Sequence, residues 1–196
     1  MWSNNLKVYC LLFLLTSLSA WAAPSQVTQL FLEHYIQNNT LSVHAKARIT
    51  LSPAMIDALK HGVPLYFLSR IELREPILLF GLIPYQRTVT QHTTLAQLRF
   101  NPLNQRWHLI NENKQRHLKT ATLAEALEIL GTFDHLSLID TQHLHPGIPY
   151  RLAWRITLDR DKLPIPLWLT TLYDASWQLD SGWLIKPVDV RKLWQR

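Results

Sequence analysis

Apolar and polar residues alternate with a period of two through much of this chain. The cleanest run is Tyr150, Leu152, Trp154, Ile156 and Leu158, interleaved with Arg151, Ala153, Arg155, Thr157 and Asp159. That is a strand with one buried face. Asp159-Arg160-Asp161-Lys162 reads as a polar turn, and Leu163, Ile165, Leu167 and Leu169 open a second alternating run that predicts another strand. Pro164 and Pro166 lie two apart, so both missing N–H groups fall on one edge of that strand, which places it at a sheet border or at its own beginning. Trp177 and Trp183 follow, with a turn predicted at the Leu-Asp-Ser-Gly segment between them.

Nearer the N-terminus, residues 30–37 and 41–51 flank Asn38-Asn39, a dipeptide that tolerates positive φ and predicts a two-residue hairpin turn. With that turn Ile36 faces Leu41 and Leu32 faces Ala45 as core pairs. Glu33 faces His44 and Phe31 faces Lys46 on the outside, and His34 falls on the inner face beside Val43 as a core or rim histidine bonded to a neighbour. Ser52-Pro53 is an N-cap followed by proline at the first helical position. Met55, Ile56 and Leu59 form the apolar face of a short helix that Gly62 closes. Residues 63–74 return as a strand with Phe67, Ile71 and Leu73 on one face.

Residues 76–84 are apolar and contain Gly81. The favoured reading is a buried strand with a glycine bulge, since apolar runs of this length suit sandwich cores. If exposed, Ile77–Ile83 is instead the best partner or membrane contact. Residues 85–92, 94–100 and 106–110 read as short strands, with a hairpin turn at Asn101-Pro102-Leu103-Asn104. Thr122-Leu123-Ala124-Glu125 is a capping box. It opens a helix with Leu123, Ala126, Leu127 and Leu130 on one stripe and Gly131 at its end. Residues 133–139 predict a strand and 141–149 a loop.

Composition places these elements in one exported domain. The chain has 196 residues, 47% of them hydrophobic, with eight Trp and five Gly, enough apolar material for one core and no low-complexity tract. Residues 1–22 carry Lys7, a short apolar stretch at 8–19 and Ala20-Trp21-Ala22, which together predict a signal peptide cut after Ala22. The apolar stretch falls short of the about 20 residues of a spanning helix; an uncleaved inner-membrane anchor is the alternative. Cys10, the one cysteine, lacks the small residues that precede a lipidated cysteine. The mature chain, 23–196, therefore has no thiol chemistry and no disulfide.

Removing residues 1–22 takes away one Lys and no acid, so the net charge falls from +6 to +5. In the periplasm nucleic acid is not a natural partner for such a chain; an anionic membrane surface or an acidic protein is. Residues 85–119 hold Arg87, Arg99, Arg106, Lys114, Arg116 and Lys119 against Glu112 alone. This reads first as a solvated face, and second, with residues 78–83, as a contact for an anionic membrane.

The chain has no GxSxG, HExxH, P-loop or dinucleotide glycine fingerprint, so no catalytic residue and no cofactor is assigned. Among nine histidines the one close pair is His143-x-His145, whose loop could wrap a metal ion with Asp140 or Asp134.

Two segments carry a family resemblance. Leu158-Asp159 followed by Pro164-Ile165-Pro166-Leu167, and then Trp177-x-Leu179-x-Ser181-Gly182-Trp183, resemble the C-terminal signature of the proteobacterial DUF4390 family. Residues 47–67 resemble that family's strand, Leu-Ser, helix with Ala-Leu-x-x-Gly-Val-Pro-Leu, and strand. The resemblance implies an exported envelope protein of unknown activity. It also implies an envelope protein or a sensor kinase of the nitrogen-regulation type as partner, because such a kinase is often encoded nearby. It hands over no catalytic residue.

The expectation is therefore a mainly β, antiparallel β-sandwich-like domain of eight or nine short strands with two short inserted helices. Its expected role is a non-enzymatic binding or accessory module of the Gram-negative envelope. The alternatives are a metal-binding protein using His143 and His145, or a protein of the membrane surface.

Overall fold

The computed structural model describes residues 24–112, 116–171 and 173–188; the expected signal segment, Cys10 and Lys114 lie outside them. Strands β1 (Gln26–Gln37) and β2 (Thr40–Thr50) form a hairpin. Asn38 and Asn39 sit at φ +50° and +61°, the left-handed region that asparagine tolerates. The register is the one the alternation predicts, with Ile36 opposite Leu41, Leu32 opposite Ala45, Glu33 opposite His44 and Phe31 opposite Lys46. A bulge between Gln29 and Phe31 leaves Leu30 unpaired and turned to solvent. His34 is half-buried.

Ser52 Oγ accepts the Met55 N–H at 3.2 Å and starts helix α1 (Pro53–Lys60), which buries Met55 and Leu59 completely. Strands β3 (Leu65–Leu79), β4 (Ile83–Asn101), β5 (Arg106–Asn111) and β6 (Arg116–Thr120) then form an antiparallel meander. The two short strands expected over 85–100 are one strand of 19 residues. No turn residue interrupts it, and a bulge at Val89, between the pairs Arg74–Thr88 and Leu73–Thr90, is its only irregularity.

Helix α2 (Leu123–Leu130) has its capping box: Thr122 Oγ1 accepts the Glu125 N–H and Glu125 Oε2 accepts the Ala121 N–H, both at 3.2 Å. The chain returns through β7 (Thr132–Asp140) to the free edge of β2. It then crosses to place β8 (Arg151–Leu158) beside β3, and β9 (Leu184–Pro187) beside β8. The result is a three-stranded sheet, β1-β2-β7, facing a six-stranded sheet, β6-β5-β4-β3-β8-β9.

The run at 163–169 is not a strand. After a single 3-10 turn at Arg160–Lys162, residues Ile165–Thr171 form helix α3. Pro164 lies just ahead of its first residue, and its carbonyl accepts the Trp168 N–H at 2.9 Å. Both prolines therefore sit where a helix has no internal partner for an N–H, and their missing donors cost nothing there.

One core lies between the sheets. Phe67, Ile71, Leu73 and Leu98 of the larger sheet, with Leu152, Trp154 and Ile156, join Leu32, Leu41, Val43 and Ala45 of the smaller in one buried cluster. Trp154 is fully buried, and the Phe133 ring meets it edge-on at 5.9 Å from the other sheet. Truncating such a residue costs about 3–5 kcal/mol, a large part of the roughly 5–15 kcal/mol that holds a domain together.

Candidate functional site

The longest strands outrun their neighbours. β8 pairs with β3 only as far as Arg74 opposite Arg151, and β5 pairs with β4 only from Ala96 onward. Beyond Arg74 and Thr88 the β3–β4 hairpin is a two-stranded ribbon that pairs with itself alone: Glu75 with Arg87, Pro76 with Gln86, Ile77 with Tyr85, Leu78 with Pro84 and Leu79 with Ile83. Four steps of about 3.3 Å plus the turn make an arm of about 15 Å.

Its tip is apolar and bare. Phe80 is 91% exposed, Leu82 84%, Leu78 61%, Ile83 58% and Tyr85 52%. The buried strand favoured for 76–84 is thus corrected to an exposed hairpin end. An apolar run is buried only where a neighbour covers it, and both neighbouring strands stop short. The turn is closed by the Leu82 N–H donating to the Leu79 carbonyl at 3.1 Å, with Phe80 at φ +52° and Gly81 at φ +73°. Glycine takes that conformation freely; a phenylalanine in it is uncommon and strained. The first hairpin of the same chain fills its positive-φ positions with asparagines.

Below the arm the outer face of the large sheet is rich in arginine. Arg70 lies opposite Arg155, and Arg74 opposite Arg151. Like charges in register repel, and two acids hold the row together. Glu72, almost fully buried, accepts from Arg74 Nε at 2.8 Å. Asp180 takes both ends of the Arg155 guanidinium, with Nε to Oδ1 at 2.8 Å. This hydrogen bonding holds the Asp180 carboxyl below its usual range, against the opposing effect of burial, and raises Arg155. Trp183 lies over Arg74, 4.1 Å from guanidinium carbon to ring centroid. Equal spacing of Arg70/Arg74 and Arg151/Arg155 was visible in the sequence; their opposition required the strand order.

Of the basic segment 85–119, Arg87 stands at the base of the arm, opposite Glu75, while Arg99, Arg106, Arg116 and Lys119 lie at the other end of the sheet. Arg99, His108 and Lys119 line up across β4, β5 and β6. Sixteen residues of β4 separate Ile83 from Arg99, about 50 Å of strand. His108 Nδ1 and His117 Nε2 are 2.8 Å apart. Burial first, then His117, Lys119 and Arg99, lower the His108 pKa below its ordinary value.

The histidine loop lies just before β8. Asp140 Oδ1 accepts the Gln142 N–H at 2.9 Å, and the His145 N–H donates to the Tyr150 hydroxyl at 3.0 Å. Asp134 pairs with His44 at 2.8 Å, not with the loop. Among the described residues no group of three His, Cys, Asp or Glu side chains is placed to hold a metal ion. An inter-sheet cleft of about 500 Å³ is lined in part by His92, Asn111, Arg116 and Phe133. Among the described residues no helix is long and apolar enough to cross a membrane.

Fold and site together define an antiparallel β-sandwich with a projecting apolar arm. The profile of the domain of unknown function DUF4390 matches residues 22–185, and the chain belongs to that family. No curated protein and no solved structure matches it.

Proposed function

We propose that the chain is a non-enzymatic binding module of the Gram-negative envelope, exported by residues 1–22, that engages its partner through the β3–β4 arm. The observation that carries this reading is Phe80, bulky, left-handed and 91% exposed. The left-handed backbone costs about 1 kcal/mol at such a residue, and the free domain recovers none of it through burial. A partner that covers the ring does. The export step rests on the sequence of residues 1–22. A link to a nearby sensor kinase rests on the family association and would make that kinase, or another envelope protein, the place to look first.

The test is in-cell photo-crosslinking from position 80, with position 103 as control. Leu103 is 95% exposed in the β4–β5 turn, at the far end of β4 from the arm. Adducts specific to position 80, to protein or to lipid, are expected. No adduct at 80, or the same adducts at both positions, sinks the arm as the contact element. A mature N-terminus at Ala23 on the recovered protein checks export.

A further inference from the structure

Resting on the arm as contact element, we infer that what it takes is an anionic lipid–water interface, with the tip among the headgroups and a basic collar near their charged level. The first reason is symmetry. Side chains of successive pairs alternate between the two faces of a ribbon, and here both faces are apolar: Ile77 and Tyr85 with Leu79 and Ile83 on one, Leu78 and Pro84 on the other. An antiparallel ribbon packed on a protein commonly buries one face and leaves the other, polar, to water. Apolar character all round suits a medium that surrounds the tip. No charged residue occurs from 76 to 86.

The second reason is the edges. A two-stranded ribbon carries unpaired backbone donors and acceptors, which cannot enter hydrocarbon. Such an arm can reach only the outer 5–10 Å or so that interfacial elements occupy. Pro76 and Pro84 each remove one edge donor, easing that insertion and obstructing the addition of a strand from a second copy or another chain.

The third reason is charge. Arg74, Arg87, Arg151 and Lys186 stand at the base of the arm on β3, β4, β8 and β9, against Glu72 and Glu75. The two acids are nearly buried and bonded to Arg74 and Arg87, while Arg151 and Lys186 are exposed. The collar is about 15 Å from the tip along the ribbon. A tip seated about 5–10 Å deep therefore holds the cations within about one Debye length of the lipid phosphates. Each such cation strengthens binding to an anionic surface about fivefold. Tyr85, between tip and collar, is of the residue type enriched at this depth.

The experiment is flotation of the processed protein with phosphatidylethanolamine vesicles, with and without phosphatidylglycerol, at low and high salt. It is repeated with Phe80→Asn/Leu82→Asn and with Arg151→Gln. Asparagine accepts the backbone of position 80, and only the arm changes, so neither unfolding nor residues near the N-terminus can account for a loss. Flotation that needs phosphatidylglycerol, weakens with salt, falls more than tenfold in the tip variant and about fivefold in Arg151→Gln is expected. No flotation at low salt, or flotation unchanged in the tip variant, overturns the lipid assignment. If position 80 then still crosslinks to a protein, the binding-module reading stands with a protein partner; if it crosslinks to nothing, both fall.

Discussion

Trp154 donates its indole N–H to Ser69 Oγ across 3.0 Å, and both side chains are buried between the sheets. The largest fully buried side chain of the core thus carries one polar atom whose partner is a single hydroxyl. Ser69→Ala leaves that N–H without an acceptor in a dry site, a loss of about 1–3 kcal/mol. Urea unfolding measures it. The same substitution in a Trp154→Phe background should cost clearly less, because no donor is left to orphan. If the two costs simply add, the hydrogen bond is not the reason.

Gly131 marks where α2 meets the small sheet. Its carbonyl accepts the Ala47 N–H at 2.8 Å, and a Cβ at this position would come within 2.3 Å of the Ala47 carbonyl oxygen. The backbone there is ordinary, φ −84°, so the demand for glycine is one of space alone. Gly131→Ala should force the helix end away from β2, cost about 1–3 kcal/mol and speed amide exchange at Ala47. Wild-type stability in that variant would remove the argument.

Local chemistry made part of this architecture readable in advance. The Asn38-Asn39 turn pins the β1–β2 register, because a slip of one residue would turn Leu41, Val43 and Ala45 to solvent. Ser52-Pro53 and the box at Thr122 are caps whose bonds form within four residues. What could not be read depended on distant partners. Pro164 and Pro166 have the same signature at an edge strand as in the first turn of a helix, and a seven-residue segment is too short for its period to decide. Ile77–Ile83 has the composition of a buried strand; its exposure follows from where β8 and β5 stop, at Arg151 and Ala96. The arm was therefore visible as a candidate, while the arginine row beneath it appeared only when β8 was seen to lie beside β3.

His108 predicts how stability depends on pH. Its folded-state pKa is lowered by burial and by His117, Lys119 and Arg99. Through mildly acidic pH the unfolded chain, with an ordinary histidine near 6.5, therefore binds more protons than the folded one. The resulting penalty is absent well above 6.5 and grows as pH falls through that value. Its geometry agrees: doubly protonated rings at 2.8 Å would set one N–H against another. Unfolding free energies measured from pH 8 to pH 5 should fall less steeply in His108→Gln than in the wild type. Parallel curves would show that His108 contributes nothing to the slope.

At Phe80 the demands of stability and of contact pull in opposite directions. Asparagine suits φ +52° far better than phenylalanine does, and the 91% exposed ring has little packing to lose. Phe80→Asn should therefore raise stability by about 1 kcal/mol, which for a domain of this size is a rise in Tm of about 2–4 °C. The same substitution should weaken whatever the arm holds. Phe80→Gly is the informative companion. It relieves the same strain but also loosens the unfolded chain, so its gain should be smaller than that of asparagine. Higher stability together with lost vesicle flotation would mean that the strain is kept for contact. A stability loss in Phe80→Asn would mean that the ring packs on something within the domain, and the arm would no longer be the first surface to probe.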